Sequence, residues 1–333
     1  MEQGKSEQKD HVDAAGRGSP KSRWRKRLLW LVVGALIAVI GLELYARFGL
    51  GLGDPPLSIA DPEIEYLFKP SRTYHRFGNV VHYNDYSMRS SDFPKTKSSP
   101  DELRVLVMGD SVVNGGALTT QADLATEKLG PELTKALGRP AVVAHISAGG
   151  WGPGNLLAYV RRHGTFDADA CVIVLSSHDA ADVPTFEPIV GTGSFPDRAP
   201  ISALGEAITR YLPIGRAKPA PSRANDATYD QGIGQLRQLV LLLREHKVSV
   251  AIILHAECNE LTNGFAIGHA RIRQLADEMS VPTLDDADAL RAHIAAGGNP
   301  YRDNIHINVA GQKLLTELLA RSVIPLLTGA APQ

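Results

Sequence analysis

Five short apolar runs, far enough apart for a helix to fit between each and the next, constrain this chain more than any other feature. They cover residues 103–108, 141–146, 170–175, 248–254 and 281–284. Runs of this length, rich in Val, Ile and Leu, are the pattern of strands buried on both faces. Between and after them, apolar residues recur with helical period. Ile233, Leu236, Val240 and Leu243 form one such stripe, and Ile272, Leu275, Ala276 and Met279 a second. Leu314, Leu315, Leu318 and Leu319 form a third, with Asn308 placed to cap that helix. Strands alternating with helices predict an α/β fold, a three-layer sandwich with a mostly parallel five-stranded sheet at its centre.

In a parallel sheet, ligands bind beyond the carboxyl ends of the strands, so the residues after each run are where chemistry is expected. The first run leads into Gly109-Asp110-Ser111, then Val112, Val113, Asn114 and Gly115-Gly116. A serine entered through glycine at a strand end can be held exposed as a nucleophile. Its hydroxyl is weak alone and needs a base, and the base needs a group to orient it. Asp303-Asn304-Ile305-His306 supplies carboxylate and imidazole in the loop that follows the fifth run by way of Tyr301-Arg302. The second run is followed by Ser147-Ala148-Gly149-Gly150-Trp151-Gly152, small residues that let backbone N–H groups approach a ligand. After the third comes Ser176-Ser177-His178-Asp179, and after the fourth His255 and Glu257. Trp151, His255 and Glu257 are the candidate substrate contacts. No His, Asp or Glu cluster beyond Asp303 and His306 has metal-ligand spacing, so neither a metal nor another cofactor is expected.

This arrangement resembles the SGNH hydrolases, also called GDSL esterases and lipases. Gly-Asp-Ser at 109–111 matches the nucleophile segment of that family, Gly150 its oxyanion glycine, and Asp303-x-x-His306 with Ile307, Asn308 and Gly311 its last segment. The resemblance spans about residues 103–327, apart from most of an insertion. It implies a flavodoxin-like sheet, a Ser111–His306–Asp303 triad, and an oxyanion hole made by the backbone N–H groups of Ser111 and Gly150. The third segment departs from the family pattern: His178 stands where an asparagine amide is usual, so a neutral imidazole N–H is expected to serve as the third donor. The reaction implied is hydrolysis of an O-acyl ester by double displacement. A sugar hydroxyl in place of water would make the protein an acyltransferase with the same residues. A catalytically silent glycan-binding or assembly protein is the reading from a different class, and the intact Ser111, Asp303 and His306 argue against it.

The remainder of the chain bears on location. Residues 1–22 are polar and without hydrophobic period, the composition of a disordered tail. Arg23, Arg25, Lys26 and Arg27 precede an unbroken apolar run at 28–42, and Trp24, Leu44 and Tyr45 flank it. We read 23–47 as an uncleaved single-pass signal anchor, since Glu43, Tyr45 and Arg47 occupy the place of a small-residue cleavage site. The basic flank keeps the tail in the cytoplasm and puts the rest on the extracytoplasmic, periplasmic side of a bacterial inner membrane. Residues 54–100 are expected to be an irregular lead-in with a small hairpin, solvated turns being preferred to the alternative that Tyr74, His75, Arg76, Tyr83, Tyr86 and Arg89 line a cleft. The catalytic domain is expected over 101–329, with a proline-rich insertion at 183–230 that contains a helix at 201–211. Lys and Arg number 35 against 36 Asp and Glu, which offers nothing to nucleic acid. Cys171 and Cys258 lie in or beside apolar runs and are expected to be separate buried thiols. The partners expected are therefore the membrane and an acylated carbohydrate, probed first with acetyl esters. N-terminal sequencing of membrane-extracted protein is expected to read upstream of Trp24; a start near residue 50 would show a cleaved signal.

Overall fold

The protein is described by a computed structural model covering residues 20–211 and 224–329. Up to residue 19 the tail lies outside the described residues, as does 212–223 of the insertion. The N-terminal unit is one helix, α1 (Pro20–Leu44). At 1.5 Å per residue it is about 37 Å long. With a mean hydropathy of 2.3 over its apolar window, it is long and apolar enough to cross a membrane.

In the second unit, β1 (Ser58–Asp61), β2 (Glu65–Phe68), β3 (Arg72–Arg76) and β4 (Asn79–Tyr83) precede the sheet. The sheet itself is β5 (Leu103–Gly109), β6 (Ala141–Ser147), β7 (Ala170–Ser176), β8 (Ser249–His255) and β9 (Thr283–Asp285). Its order is β6-β5-β7-β8-β9 and every pairing is parallel. This is the flavodoxin-like three-layer α/β/α sandwich that the pattern predicts. The last strand starts later than its apolar run. Pro282 has no N–H to donate, and pairing begins only after it.

Side chains alternate across the sheet, and each set meets its own helices. Leu106, Met108, Ile173 and Ile252 pack with α4 (Pro153–His163), α6 (Asp226–Glu245) and α8 (Ile267–Glu278). Val105, Val107, Val172 and Ile253 pack on the other face with α3 (Ala125–Leu137), α9 (Ala287–Ala295) and α10 (Val309–Thr328). Asn308 caps α10, accepting from the N–H groups of Ala310 and Gly311.

The lead-in is more ordered than its composition suggests. It forms two hairpins, β1–β2 and β3–β4, the second closed by Phe77-Gly78 with both residues at positive φ. Tyr74, Val81, Tyr83 and Leu57 make a small buried cluster of their own, while Tyr66 enters the main core. Tyr74, Arg76 and Tyr83 are buried, so solvated turns are the wrong description; alternation along β3 and β4 aims these residues inward. Of the helix expected at 201–211, only α5 (Ala203–Glu206) is α-helical, and Ala207–Tyr211 follows as a π-type turn. Both cysteines are free, but Cys258 is exposed because it lies in the loop beyond β8.

Arg104 interrupts the apolar run of β5 and is nevertheless fully buried. Its guanidinium pairs with Glu102 and donates to the carbonyls of Pro94, Lys95, Thr96 and Phe166, tying the lead-in to the base of the sheet. Arg104→Ala is expected to destabilise the protein by about 3–5 kcal/mol in denaturant titrations, because it strands the Glu102 carboxylate. The double variant Arg104→Met with Glu102→Leu should recover much of that loss, whereas equal losses in both would refute a charge-driven cost.

Candidate active site

The turn after β5 presents the serine. Gly109 leaves β5 where an added Cβ would lie 2.8 Å from the Val174 carbonyl oxygen and 2.5 Å from Val113, so only glycine fits. Asp110 caps the single turn α2 (Ser111–Asn114) by accepting from the Val112 N–H at 2.8 Å. Gln312 of α10 binds the same turn, its amide donating to the Val112 carbonyl. Ser111 Oγ then lies 2.9 Å from Nε2 of His306, across 195 positions of sequence. His306 Nδ1 is 2.7 Å from Asp303 Oδ2. Burial pushes the Asp303 carboxyl up, but the N–H groups of His306 and Ile305 and the His306 side chain hold it below the ordinary carboxylate value. The residues expected to act together from the two ends of the domain form one hydrogen-bonded chain.

Beside the serine runs the loop after β6. A Cβ on Gly149 would lie 3.9 Å from Ser111 Cβ, so this backbone passes directly against the nucleophile. Tyr66 donates to the Gly149 carbonyl at 2.7 Å. In a trans peptide the following N–H, that of Gly150, points the opposite way. Gly150 has φ +73°, a left-handed conformation natural to glycine. Among the described residues, the N–H groups of Ser111 and Gly150 have no protein acceptor. Trp151 is not at the surface of the site. It is buried against Tyr66 and Tyr159, so it packs the core and offers no platform to substrate.

His178 differs from its expected state. Its Nδ1 is 3.1 Å from Glu257 Oε1, and its Nε2 is 3.4 Å from both Asp110 Oδ2 and Asp179 Oδ1. Asp179 above all, then Asp110 and Glu257, outweigh burial and push the imidazole up to about 12. Both ring nitrogens face carboxyl groups, which favours the charged imidazolium over a ring free to donate to an oxyanion, while burial and the Asp110 charge push the Asp179 carboxyl well above its usual value. Asp110, whose burial opposes ionisation, is held below the usual value by His178 and the Val112 N–H. The ligand atoms of Asp110, His178 and Asp179 lie within 4.8 Å of one another, a convergence of two loops that spacing along the chain does not reveal.

Glu257 and His255, expected as substrate contacts, are turned to protein partners. Glu257 accepts from Asn304 as well as His178, linking that cation to the Asp303–His306 loop. His255 is buried, with Nδ1 2.5 Å from Asp286 Oδ2 and Nε2 3.0 Å from the Ile305 carbonyl, one residue before His306.

A cavity of about 450 Å³ opens on Ser111 and His306. Its walls come largely from outside the core sheet: Phe68, Val81 and Tyr83 from the hairpins, Phe195 and Tyr211 from the insertion. The alternation in 72–83 was the available sequence signal for this wall. Nothing in the sequence marked Phe195, whose ring packs at 4.7 Å on Tyr66.

No family model matches this chain, and no curated protein does. Solved structures do. A two-domain esterase active on acetylated mannans aligns at 13% identity and a TM-score of 0.47, over 70% of this chain and 51% of that one. The chain thus spans about half the length of that enzyme. An acetyl xylan esterase aligns at 15% identity and 0.45, covering 67% of this chain and 100% of its own. A member of the lipolytic G-D-S-L family from Veillonella parvula aligns at 14% identity and 0.39, over 65% and 94%.

The His255–Asp286 pair carries a pH signature. Burial opposes the charge on His255, but Asp286 and the Ile305 carbonyl outweigh it and raise the imidazole to about 9. A folded value above the unfolded one of about 6.5 means stability that is complete below pH ~6.5 and lost as pH rises through ~9. The unfolding free energy of His255→Gln is therefore expected to fall less steeply than wild type between pH 6.5 and pH 9, by the slope of about one proton. Parallel curves in that window would show that His255 is not charged in the fold.

Proposed function

We propose that this protein is a membrane-anchored serine esterase of the SGNH type that removes O-acyl groups, acetyl first among them, from a cell-envelope carbohydrate or glycolipid. The observation that carries this reading is the chain Ser111 Oγ–His306 Nε2, 2.9 Å, and His306 Nδ1–Asp303, 2.7 Å, opening on a cavity wide enough for a sugar residue. As Ser111 Oγ attacks the ester carbonyl, His306 Nε2 takes its proton, and Asp303 orients the ring and stabilises its charge. In this reading the N–H groups of Ser111 and Gly150 hold the tetrahedral oxyanion. His306 then gives the proton to the leaving alcohol. Water, deprotonated by the same imidazole, releases the acyl group and restores Ser111. Asp110 Oδ2 also accepts from Ser111 Oγ at 3.2 Å, and His178, 3.4 Å from the same oxygen, offsets that carboxylate's charge and weakens its pull on the hydroxyl proton.

The anchor is α1, and the flank of Arg23, Arg25, Lys26 and Arg27 favours an extracytoplasmic catalytic unit. Location outside the cytoplasm supports an envelope substrate.

Ser111→Ala is expected to cut p-nitrophenyl acetate turnover by at least about 10³-fold while leaving circular dichroism and thermal unfolding unchanged. A fluorophosphonate probe should label wild type at Ser111 and the variant nowhere. Labelling at another serine, or turnover that survives the substitution, would sink the assignment.

A further inference from the structure

The cavity at Ser111 is charged in a way the composition does not foreshadow. The whole chain carries a formal charge of −1, yet the described residues lining this cavity include Arg76, Arg210 and Arg302 and no Asp or Glu. Two of these guanidinium groups share one carboxylate: Glu206 is 2.5 Å from Arg76 and 3.7 Å from Arg210. Arg302 does not share it. Its guanidinium makes one long hydrogen bond, 3.4 Å to the Gly115 carbonyl. The neighbouring Asp303 carboxylate is turned to His306 Nδ1 and to the N–H groups of Ile305 and His306.

A guanidinium has five N–H donors in a planar fork, and it holds its charge even when partly desolvated. Arg302 is half-buried, and burial pushes its pKa down with only partial compensation from Asp303. Its remaining donors thus face a cavity whose described lining includes no carboxylate. The side chain is also well registered to the chemistry. Arg302 N–H donates to the His306 carbonyl at 2.8 Å, and Tyr301 bridges Ile307, so one short pinned loop carries both the guanidinium and the imidazole.

We propose that Arg302 binds a carboxylate of the substrate beside the scissile ester, so that the preferred substrate is an anionic ester and not a neutral one. The carboxylate would pair bidentately with the guanidinium fork and complete a half-desolvated charge. It has two possible sources, the acyl part of a dicarboxylic half-ester or the alcohol part of an acylated uronic acid. This inference rests on the esterase reading and names the substrate class of that same site.

The test uses the full chain in detergent micelles and two matched pairs of substrates. The acyl pair is the mono-p-nitrophenyl ester of glutaric acid against p-nitrophenyl pentanoate. The alcohol pair is O-acetylated glucuronic acid against the O-acetylated glucuronamide, read by acetate release. In at least one pair, wild type should favour the anion in kcat/KM by about 10-fold or more. Arg302→Gln should abolish that ratio and Arg302→Lys should keep part of it. The ratio, unlike either rate alone, is insensitive to a general loss of activity. The pair that responds identifies the source of the carboxylate. Equal ratios in wild type and Arg302→Gln for both pairs would overturn the proposal. If Arg302→Gln does not fold, salt decides: the wild-type preference should shrink as sodium chloride rises from about 0.05 to 0.5 M, and a preference indifferent to salt would overturn it. Failure of wild type to cleave any of the four esters, or to take fluorophosphonate at Ser111, would instead refute the esterase reading, and this inference with it.

Discussion

One imidazolium among three carboxylates holds the carboxyl edge of the sheet together. Five parallel strands deliver their loops to the same edge, and those loops bring Asp110, Asp179 and Glu257 around His178. Carboxylates this close cannot all stay ionised out of water without a cation between them. His178 supplies that charge and holds Asp110 ionised, while burial and Asp110 push the Asp179 carboxyl well above its usual value, and the cluster joins the ends of β5, β7 and β8. His255 repeats the device one layer deeper, pairing with Asp286 and gripping the Ile305 carbonyl. The loop bearing His306 is therefore held from behind by one histidine and from the side by Glu257 and Asn304.

This support accounts for the short contact between Ser111 and His306. Loops are mobile unless their polar groups are committed. Here the serine turn is capped by Asp110, clamped by Gln312, and gripped from below by the buried Arg89, which donates to the Asn114, Gly116 and Thr119 carbonyls. Two loops fixed independently can meet at hydrogen-bond distance without spending binding energy to order either. The hairpins before the sheet then wall the cavity, and Arg104 fastens the stretch that connects them to the sheet.

Much of the fold was legible because burial on both faces leaves a plain mark. A strand such as β5 has to be apolar nearly throughout, and α6, α8 and α10 have to be apolar every third or fourth residue. Ser111, Asp303 and His306 were legible for a related reason: the loops after parallel strands are the only ones that can converge, and few residue types can activate a hydroxyl. The lead-in misled because its buried residues are tyrosines and arginines, which composition reads as solvated. Tyr66, Arg76 and Arg89 are buried because each polar tip finds a partner, Gly149, Glu206 and the Asn114 carbonyl respectively.

By itself the sequence determined a parallel sheet between helices, an apolar helix before it, and which serine, histidine and aspartate stand at one edge. The apolar period decides the first two, and strand polarity decides the third. Only the tertiary structure decided the carboxyl groups around His178, the burial of Trp151 and His255, and the place of Arg302 in the cavity wall. Those depend on which side chains from distant loops arrive within a few ångströms, where desolvation and Coulomb attraction are large enough to shift a protonation equilibrium.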